Sequence, residues 1–260
     1  MTVQSAELVS EAPYIWRARR PDSRHRLICF PHAGGGATAY ADWVPLLPPG
    51  IELVAVQLPG RQNRIVEEPF TEVAPLVQTL VHALRPVLGG SFSFFGHSCG
   101  AALAFELAKA LRARGGPVPE ALFLSAQPAP GATGIRPLYD LPDEEFHEAM
   151  TALGGIDEEI AADEFVMASL LPVLRADFTL WERHRTAPDA PLDCPITAGA
   201  GDGDPRAPKE SVEGWRDQTT GAFEVHFQPG GHFYFMDSPA GVVDLIAERV
   251  PAAPEPGRTV

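Results

Sequence analysis

Gly96-His97-Ser98-Cys99-Gly100 spells G-x-S-x-G, a pentapeptide whose middle serine becomes a nucleophile where a strand turns sharply into a helix. The flanks meet that condition. The apolar run Phe92-Ser93-Phe94-Phe95 precedes it, and Ala101, Leu103, Ala104, Leu107, Ala108 and Leu111 follow at helical spacing. Composition alone would produce the pentapeptide in a chain of this length with a probability on the order of 0.1, so the context carries the reading. Such a turn strains the backbone of the middle residue, and glycines two positions to either side remove side chains that would collide. Ser98 then stands clear of the sheet at a helix N-terminus, and the chemistry it offers is nucleophilic acyl transfer.

A serine hydroxyl is a weak nucleophile at neutral pH, so it needs a histidine to take its proton and a carboxylate to orient that histidine. On a strand-turn-helix scaffold of this kind the chain order is Ser, then Asp or Glu, then His. His232 lies in Pro229-Gly230-Gly231-His232, directly after the strand-like Phe223-Glu224-Val225-His226-Phe227. Asp202 and Asp204 share the turn Gly199-Ala200-Gly201-Asp202-Gly203-Asp204-Pro205, and both fall between Ser98 and His232. The residues themselves leave the choice between the two aspartates open.

The other histidines have plainer readings. His97 sits inside the elbow with its ring directed away from Ser98, His226 is a strand position, and His25, His82, His147 and His184 read as surface residues. His32 differs, because Phe30-Pro31-His32-Ala33-Gly34-Gly35-Gly36 ends a strand with a loop that exposes its backbone. A tetrahedral intermediate needs hydrogen-bond donors aimed at its oxyanion, and the backbone N–H groups of Ala33 and Cys99 are the candidates. Phosphate binding is the lesser reading of this loop, which lacks the lysine and spacing of a P-loop and the pattern of a dinucleotide fingerprint.

Strands are expected at Arg26–Phe30, Glu52–Gln57, Ser91–Phe95, Ala121–Ser125, Pro195–Ala198 and Phe223–Phe227, with helices between several of them. That alternation makes an α/β protein with a mostly parallel sheet covered on both faces. About seventy residues separate the fourth and fifth of these strands, more than a crossover helix uses, so residues 128–190 form an insertion of their own. Leu141-Pro142-Asp143-Glu144-Glu145 starts a helix with acids in its first turn and Phe146, Met150 and Leu153 on one face. A second helix is expected from Asp163 to Leu171 and a third from Pro172 to His184, together a helical lid. Of its apolar residues Met150, Leu153, Phe165, Met167, Leu170, Leu174, Phe178 and Trp181, most are expected to pack lid against core. Met150, Leu153 and Phe178 are the candidates for lining an acyl pocket.

The 260 residues, 45% of them hydrophobic, are enough for one sizeable core, placed here at 14–250, with 1–13 and 251–260 expected as flexible tails. No basic-then-apolar leader and no run of eighteen apolar residues is present, so a cytoplasmic protein off the membrane is expected. Cys29, Cys99 and Cys194 read as reduced thiols, with Cys99 open to alkylating reagents. A net charge of −14 argues against nucleic acid and anionic membranes as partners. Arg17, Arg19, Arg20, Arg24 and Arg26 are the densest basic cluster and read as an edge in solvent. Arg61 and Arg64 follow a strand at the end of the sheet where the site should lie, as either a positive patch or a solvated loop.

Phe30-Pro31-His32-Ala33-Gly34-Gly35, Leu58-Pro59-Gly60-Arg61, Phe95-Gly96-His97-Ser98 and Gly230-Gly231-His232-Phe233 together resemble the type II thioesterases of polyketide and nonribosomal peptide synthases. The resemblance runs from about Tyr14 to Val250. It implies an α/β-hydrolase fold and hydrolysis of acyl groups from the phosphopantetheine arm of an acyl or peptidyl carrier protein. No cofactor or metal of its own is implied, and a monomer is the expected form. It makes Ser98 the nucleophile and His232 the base, and the family's spacing favours Asp204 over Asp202 as the orienting acid. Cys99 departs from the methionine usual in the family; the oxyanion role uses its backbone, so the chemistry survives while the pocket wall changes. An acyltransferase or cyclising thioesterase, and a generic carboxylesterase, share the same residues and remain alternatives.

Overall fold

The computed structural model describes residues 7–156, 159–160, 163–236 and 238–250. Its centre is an eight-stranded sheet in the order β1-β2-β4-β3-β5-β6-β7-β8. The strands are β1 (Val9–Ala12), β2 (Ile15–Ala18), β3 (His25–Phe30), β4 (Ile51–Val56), β5 (Phe92–His97), β6 (Leu122–Ser125), β7 (Ile196–Gly201) and β8 (Phe223–Gln228). From β4 to β8 across the sheet all neighbours are parallel, while β1 and β2 run antiparallel at one edge. Every residue of β4, β5 and β6 is buried, as strands covered on both faces require.

Period-two alternation sends successive side chains to two separate cores. Ile28, Phe30, Val54 and Phe94 pack with α1 (Val73–Ala83) and α2 (Cys99–Ala113) on one face. Leu27, Cys29, Leu53 and Phe95 pack on the other against Tyr40, Trp43 and the α6 residues (Ala240–Arg249) Val242, Val243 and Ile246. A short α5 (Lys209–Glu213) lies between β7 and β8. Among the described residues no helix is long and apolar enough to cross a membrane.

The N-terminal edge differs from the sequence expectation. Residues 9–12 are a strand rather than part of a tail, and β2 extends the sheet beside β4; residues 1–6 and 251–260 lie outside the described residues. The arginine cluster is spent on this edge. Arg17 bonds the buried Glu52 at 2.7 Å, Arg19 pairs with Glu11, and Arg20 donates to the carbonyls of Leu47 and Ile51 at 2.9 Å each. His25, expected at the surface, is buried, with Nδ1 2.6 Å from Ser91 Oγ. Burial lowers its pKa to about 4, with the neighbouring Arg26 acting in the same direction.

Between β6 and β7 the chain carries α3 (Asp143–Leu153) and α4 (Glu164–Arg183). Asp143, Glu144 and Glu145 occupy the first turn of α3, where the helix dipole favours negative charge. Asp163 caps α4 by accepting from the N–H groups of Phe165 and Val166 at 2.9 and 3.1 Å. The two helices expected at 163–171 and 172–184 are one, with Pro172 inside it. An interior proline costs roughly 3 kcal/mol. Burial of Met167 before it and of Val173, Leu174 and Leu180 after it offsets that cost. Phe165 is the exception among the apolar residues expected to pack: it is 88% exposed.

Candidate active site

Ser98 has φ +55° and ψ −127°, a strained conformation for a residue with a Cβ. The strain is held from both sides: its N–H donates to the Ser125 carbonyl on β6 at 2.8 Å, and its carbonyl accepts from Ala101 N–H at 2.9 Å. A Cβ on Gly96 would strike the Gly100 carbonyl, and one on Gly100 would strike the Phe30 carbonyl, so each glycine of the motif is required by a close backbone approach. Ser98 Oγ lies 3.0 Å from His232 Nε2, and His232 Nδ1 lies 2.8 Å from Asp204 Oδ2. A carboxylate only accepts, so Nδ1 carries the ring proton and Nε2 is left free to accept from the serine hydroxyl.

The two aspartates of the β7 turn part company. Asp204 is buried, and its second oxygen accepts from Arg206 N–H at 2.8 Å. Asp202 is exposed and accepts from Gly230 N–H at 3.2 Å, bracing the loop that carries His232 without touching its ring.

Two more imidazoles back this one. The His97 ring lies 5.2 Å from His232, with Nδ1 2.9 Å from Ser125 Oγ; its contact is with β6 and not with Ser98. The His32 ring lies 6.1 Å from His97 and 4.9 Å from Phe233. Burial, and then the neighbouring His232, lowers the His32 pKa to about 4 and pushes His97 well below its ordinary value. Both rings stay neutral at neutral pH.

Ala33 and Cys99 line a cleft of about 560 Å³ together with Ser98 and His232. His32 C=O turns inward to accept from Gly35 N–H at 3.0 Å, so the Ala33 N–H of the same trans peptide points the opposite way. The Gly34–Gly36 loop is no open phosphate cradle: side chains of Leu174, His32 and Gln62 lie against its three glycines. The Cys99 thiol is pushed well above its ordinary pKa by burial and then by the charge of Asp177, which keeps it protonated and poorly reactive. Among the described residues no group of three or more His, Cys, Asp or Glu side chains is placed to hold a metal ion.

The site faces two compartments. The larger cleft is lined mainly by apolar residues, Phe105, Ile135, Trp181 and Trp215 among them, with Gln127, Glu182, His184 and Arg206 as polar groups along it. The smaller, about 40 Å³, is an apolar slot between Met150, Leu153, Ile156, Leu174, Phe178 and Phe233, closed by Ser98 and His232. All three lid residues named from the sequence, Met150, Leu153 and Phe178, line it.

Arg61 and Arg64 are neither a surface patch nor a solvated loop. Arg61, 4% exposed, grips Asp177 of α4 at 2.6 and 3.0 Å, and Asp177 Oδ2 also accepts from Gly34 N–H at 2.8 Å. Arg64 is buried over the Tyr14 ring at 4.1 Å and pairs with Glu67. A second tie runs from Glu182, which accepts from Leu138 and Tyr139 N–H at 2.7 and 2.8 Å and pairs with Arg206 at 2.5 Å. Asp177 escaped the sequence reading, although Val173, Asp177 and Leu180 share one apolar stripe. An acid on a core-facing stripe signals a buried cation partner.

A serine, a histidine and a carboxylate joined in this order at the C-terminal end of a mostly parallel sheet define a serine hydrolase of the α/β-hydrolase fold. The thioesterase domain family matches residues 25–250, and the chain belongs to that family. The chain is 38% identical over 226 residues to the gramicidin S biosynthesis protein GrsT of Aneurinibacillus migulanus, covering 86% of this chain and 88% of that one. Among solved structures it superposes on the RedJ thioesterase of the prodiginine pathway in Streptomyces coelicolor with a TM-score of 0.82, at 38% identity, covering 88% of this chain and 87% of that one. The type II thioesterase BorB from the borrelidin cluster gives a TM-score of 0.85 at 36% identity, covering 94% of this chain and all of that one. The protein is a thioester hydrolase of the serine type.

Proposed function

We propose that this thioesterase releases acyl groups from the phosphopantetheine arm of an acyl or peptidyl carrier protein, with Ser98 as nucleophile, His232 as base and Asp204 as orienting acid. The observation that carries the reading is the hydrogen-bonded run from Ser98 through His232 to Asp204, opening on a small apolar slot and a larger cleft of mixed lining. The similar proteins named for gramicidin S, prodiginine and borrelidin biosynthesis support a synthase carrier as the partner.

Ser98 Oγ attacks the thioester carbonyl as its proton passes to His232 Nε2, and the N–H groups of Ala33 and Cys99 hold the oxyanion. The C–S bond then breaks, and His232 returns the proton to the departing pantetheine sulfur. In the second half, His232 takes a proton from water, hydroxide adds to the acyl-serine carbonyl, and the acid leaves as Ser98 regains its proton. His32 and His97, held neutral, add no charge to oppose the imidazolium formed at each half-reaction.

We assign the acyl chain to the side of the apolar slot, between Met150, Leu153 and Phe178, and the pantetheine arm to the larger cleft. Leu153→Ala widens the slot, and each additional methylene accommodated there contributes about 0.8 kcal/mol, roughly fourfold in kcat/KM. Relative to wild type, the variant therefore shifts preference toward acyl chains two or three carbons longer. A chain-length series of acyl-pantetheine substrates reads this, and an unmoved profile would assign the acyl group to the larger cleft.

The reading itself is tested with a carrier protein loaded with several acyl groups and followed by intact mass spectrometry. Wild type removes the acyl mass and leaves the phosphopantetheine; retention of every acyl group under conditions where a simple ester is cleaved would exclude the carrier as substrate.

A further inference from the structure

Asp177 has no part in the proton relay, yet its carboxylate is buried within the cleft that Ser98 lines. A buried ion pair is a weak source of stability, since apolar residues of similar volume often serve as well, so an Asp–Arg pair here calls for another reason. The bond from Gly34 N–H to Asp177 Oδ2 at 2.8 Å supplies one, because Gly34 follows Ala33 directly. Two peptide planes flank the Ala33 α-carbon. The first is held by the Gly35 N–H to His32 C=O bond of 3.0 Å, and the second by Asp177. Gly34 has φ +71°, a turn conformation that glycine adopts without steric cost and that leaves its N–H directed at the carboxylate.

A bare carboxylate so placed would oppose an oxyanion forming in the same low-dielectric cleft. Arg61 answers that by gripping both oxygens, and it is itself fixed by donating from Nε to the Pro59 carbonyl at 3.0 Å. Gln57 completes the frame, accepting from Ala37 N–H at 2.8 Å and donating to the Arg61 carbonyl at 3.1 Å. The Gly34 loop, the Leu58-Pro59-Gly60-Arg61 segment and α4 thus meet at one carboxylate.

We propose that Asp177 is a positioning residue for acyl transfer: it pins the Gly34 amide so that the Ala33 N–H faces the carbonyl oxygen of the substrate, while Arg61 cancels its charge. This rests on the acyl-transfer reading above and concerns the oxyanion, which thioesters and oxygen esters share.

The test compares Asp177→Ala, Asp177→Asn, Arg61→Met and the double variant Arg61→Met/Asp177→Asn. Each is assayed on an acyl-pantetheine thioester and on the matching p-nitrophenyl ester, with rates expressed per site titrated by a fluorophosphonate. Misaligning one oxyanion donor should lower kcat of Asp177→Ala about 10- to 100-fold on both substrates, with KM within about threefold and the acid limb of the pH profile unmoved. Asp177→Asn keeps a carbonyl oxygen for Gly34 N–H and recovers kcat to within about tenfold of wild type. Arg61→Met leaves an uncompensated carboxylate and falls at least as far as Asp177→Ala, whereas the double variant rises above Arg61→Met.

A kcat for Asp177→Ala within about threefold of wild type per titrated site would overturn the proposal. So would an Asp177→Asn no better than alanine, or a loss confined to KM. Wild type that cleaves the ester but not the thioester contradicts the thioesterase reading alone, and the ester arm still decides the role of Asp177.

Discussion

Ser98→Ala folds as the wild type does and loses turnover of acyl-pantetheine by about 10⁴-fold or more, equivalent to roughly 5.5 kcal/mol of barrier. The fold survives because the strained turn is built by its neighbours and not by the hydroxyl: Ser98 N–H remains bonded to Ser125 C=O, and Gly96 and Gly100 still permit the close approaches. Only Oγ is lost, and with it the covalent step that divides thioester cleavage into two easier ones. The adjacent Cys99 thiol does not replace it, because burial raises its pKa and keeps it protonated. A melting temperature within a degree or two of wild type, together with kcat measured against a thiol-trapping reagent, checks both halves of the prediction.

Asp204→Asn reduces kcat/KM about 10⁴-fold, while Asp202→Asn stays within about threefold. The asymmetry follows from donors and acceptors. Arg206 N–H donates to Asp204 Oδ1, so an asparagine there must turn its carbonyl oxygen toward Arg206 and its NH₂ toward His232 Nδ1. Nδ1 then has to accept, the ring proton moves to Nε2, and the atom facing Ser98 can no longer take a proton. Asp202→Asn still offers an acceptor to Gly230 N–H, so the loop bearing His232 keeps its place. Steady-state kinetics of the two variants, side by side, give the ranking; the reverse order would transfer the role to Asp202.

The six strands from β3 to β8 and the elbow were legible because local pattern determines them: the buried central strands β4, β5 and β6 are predominantly apolar, β8 at the edge alternates Phe223, Val225 and Phe227 with polar residues, and the elbow needs glycine at two fixed offsets. What lay beyond reach depends on distant partners. β1 and β2 are short and half-exposed, with charges set against Glu52 and Glu11, and no periodicity marks them. Arg61 read as a surface charge because its counter-ion lies 116 residues away, on a helix that local rules break at Pro172. Asp202 and Asp204 differ by two positions on one turn, and only the path of the chain into the interior separates a buried carboxylate from an exposed one.

The central claim is that the acyl group passes from the carrier thiol to Ser98 Oγ. Rapid-quench mixing of enzyme with acyl-loaded carrier, followed by mass spectrometry of the digested enzyme, looks for that adduct directly. An acyl mass increment on the peptide containing Ser98, appearing before free acid and absent in Ser98→Ala, is the predicted result; an increment on another residue, or unloading of the carrier by Ser98→Ala at the wild-type rate, would contradict it.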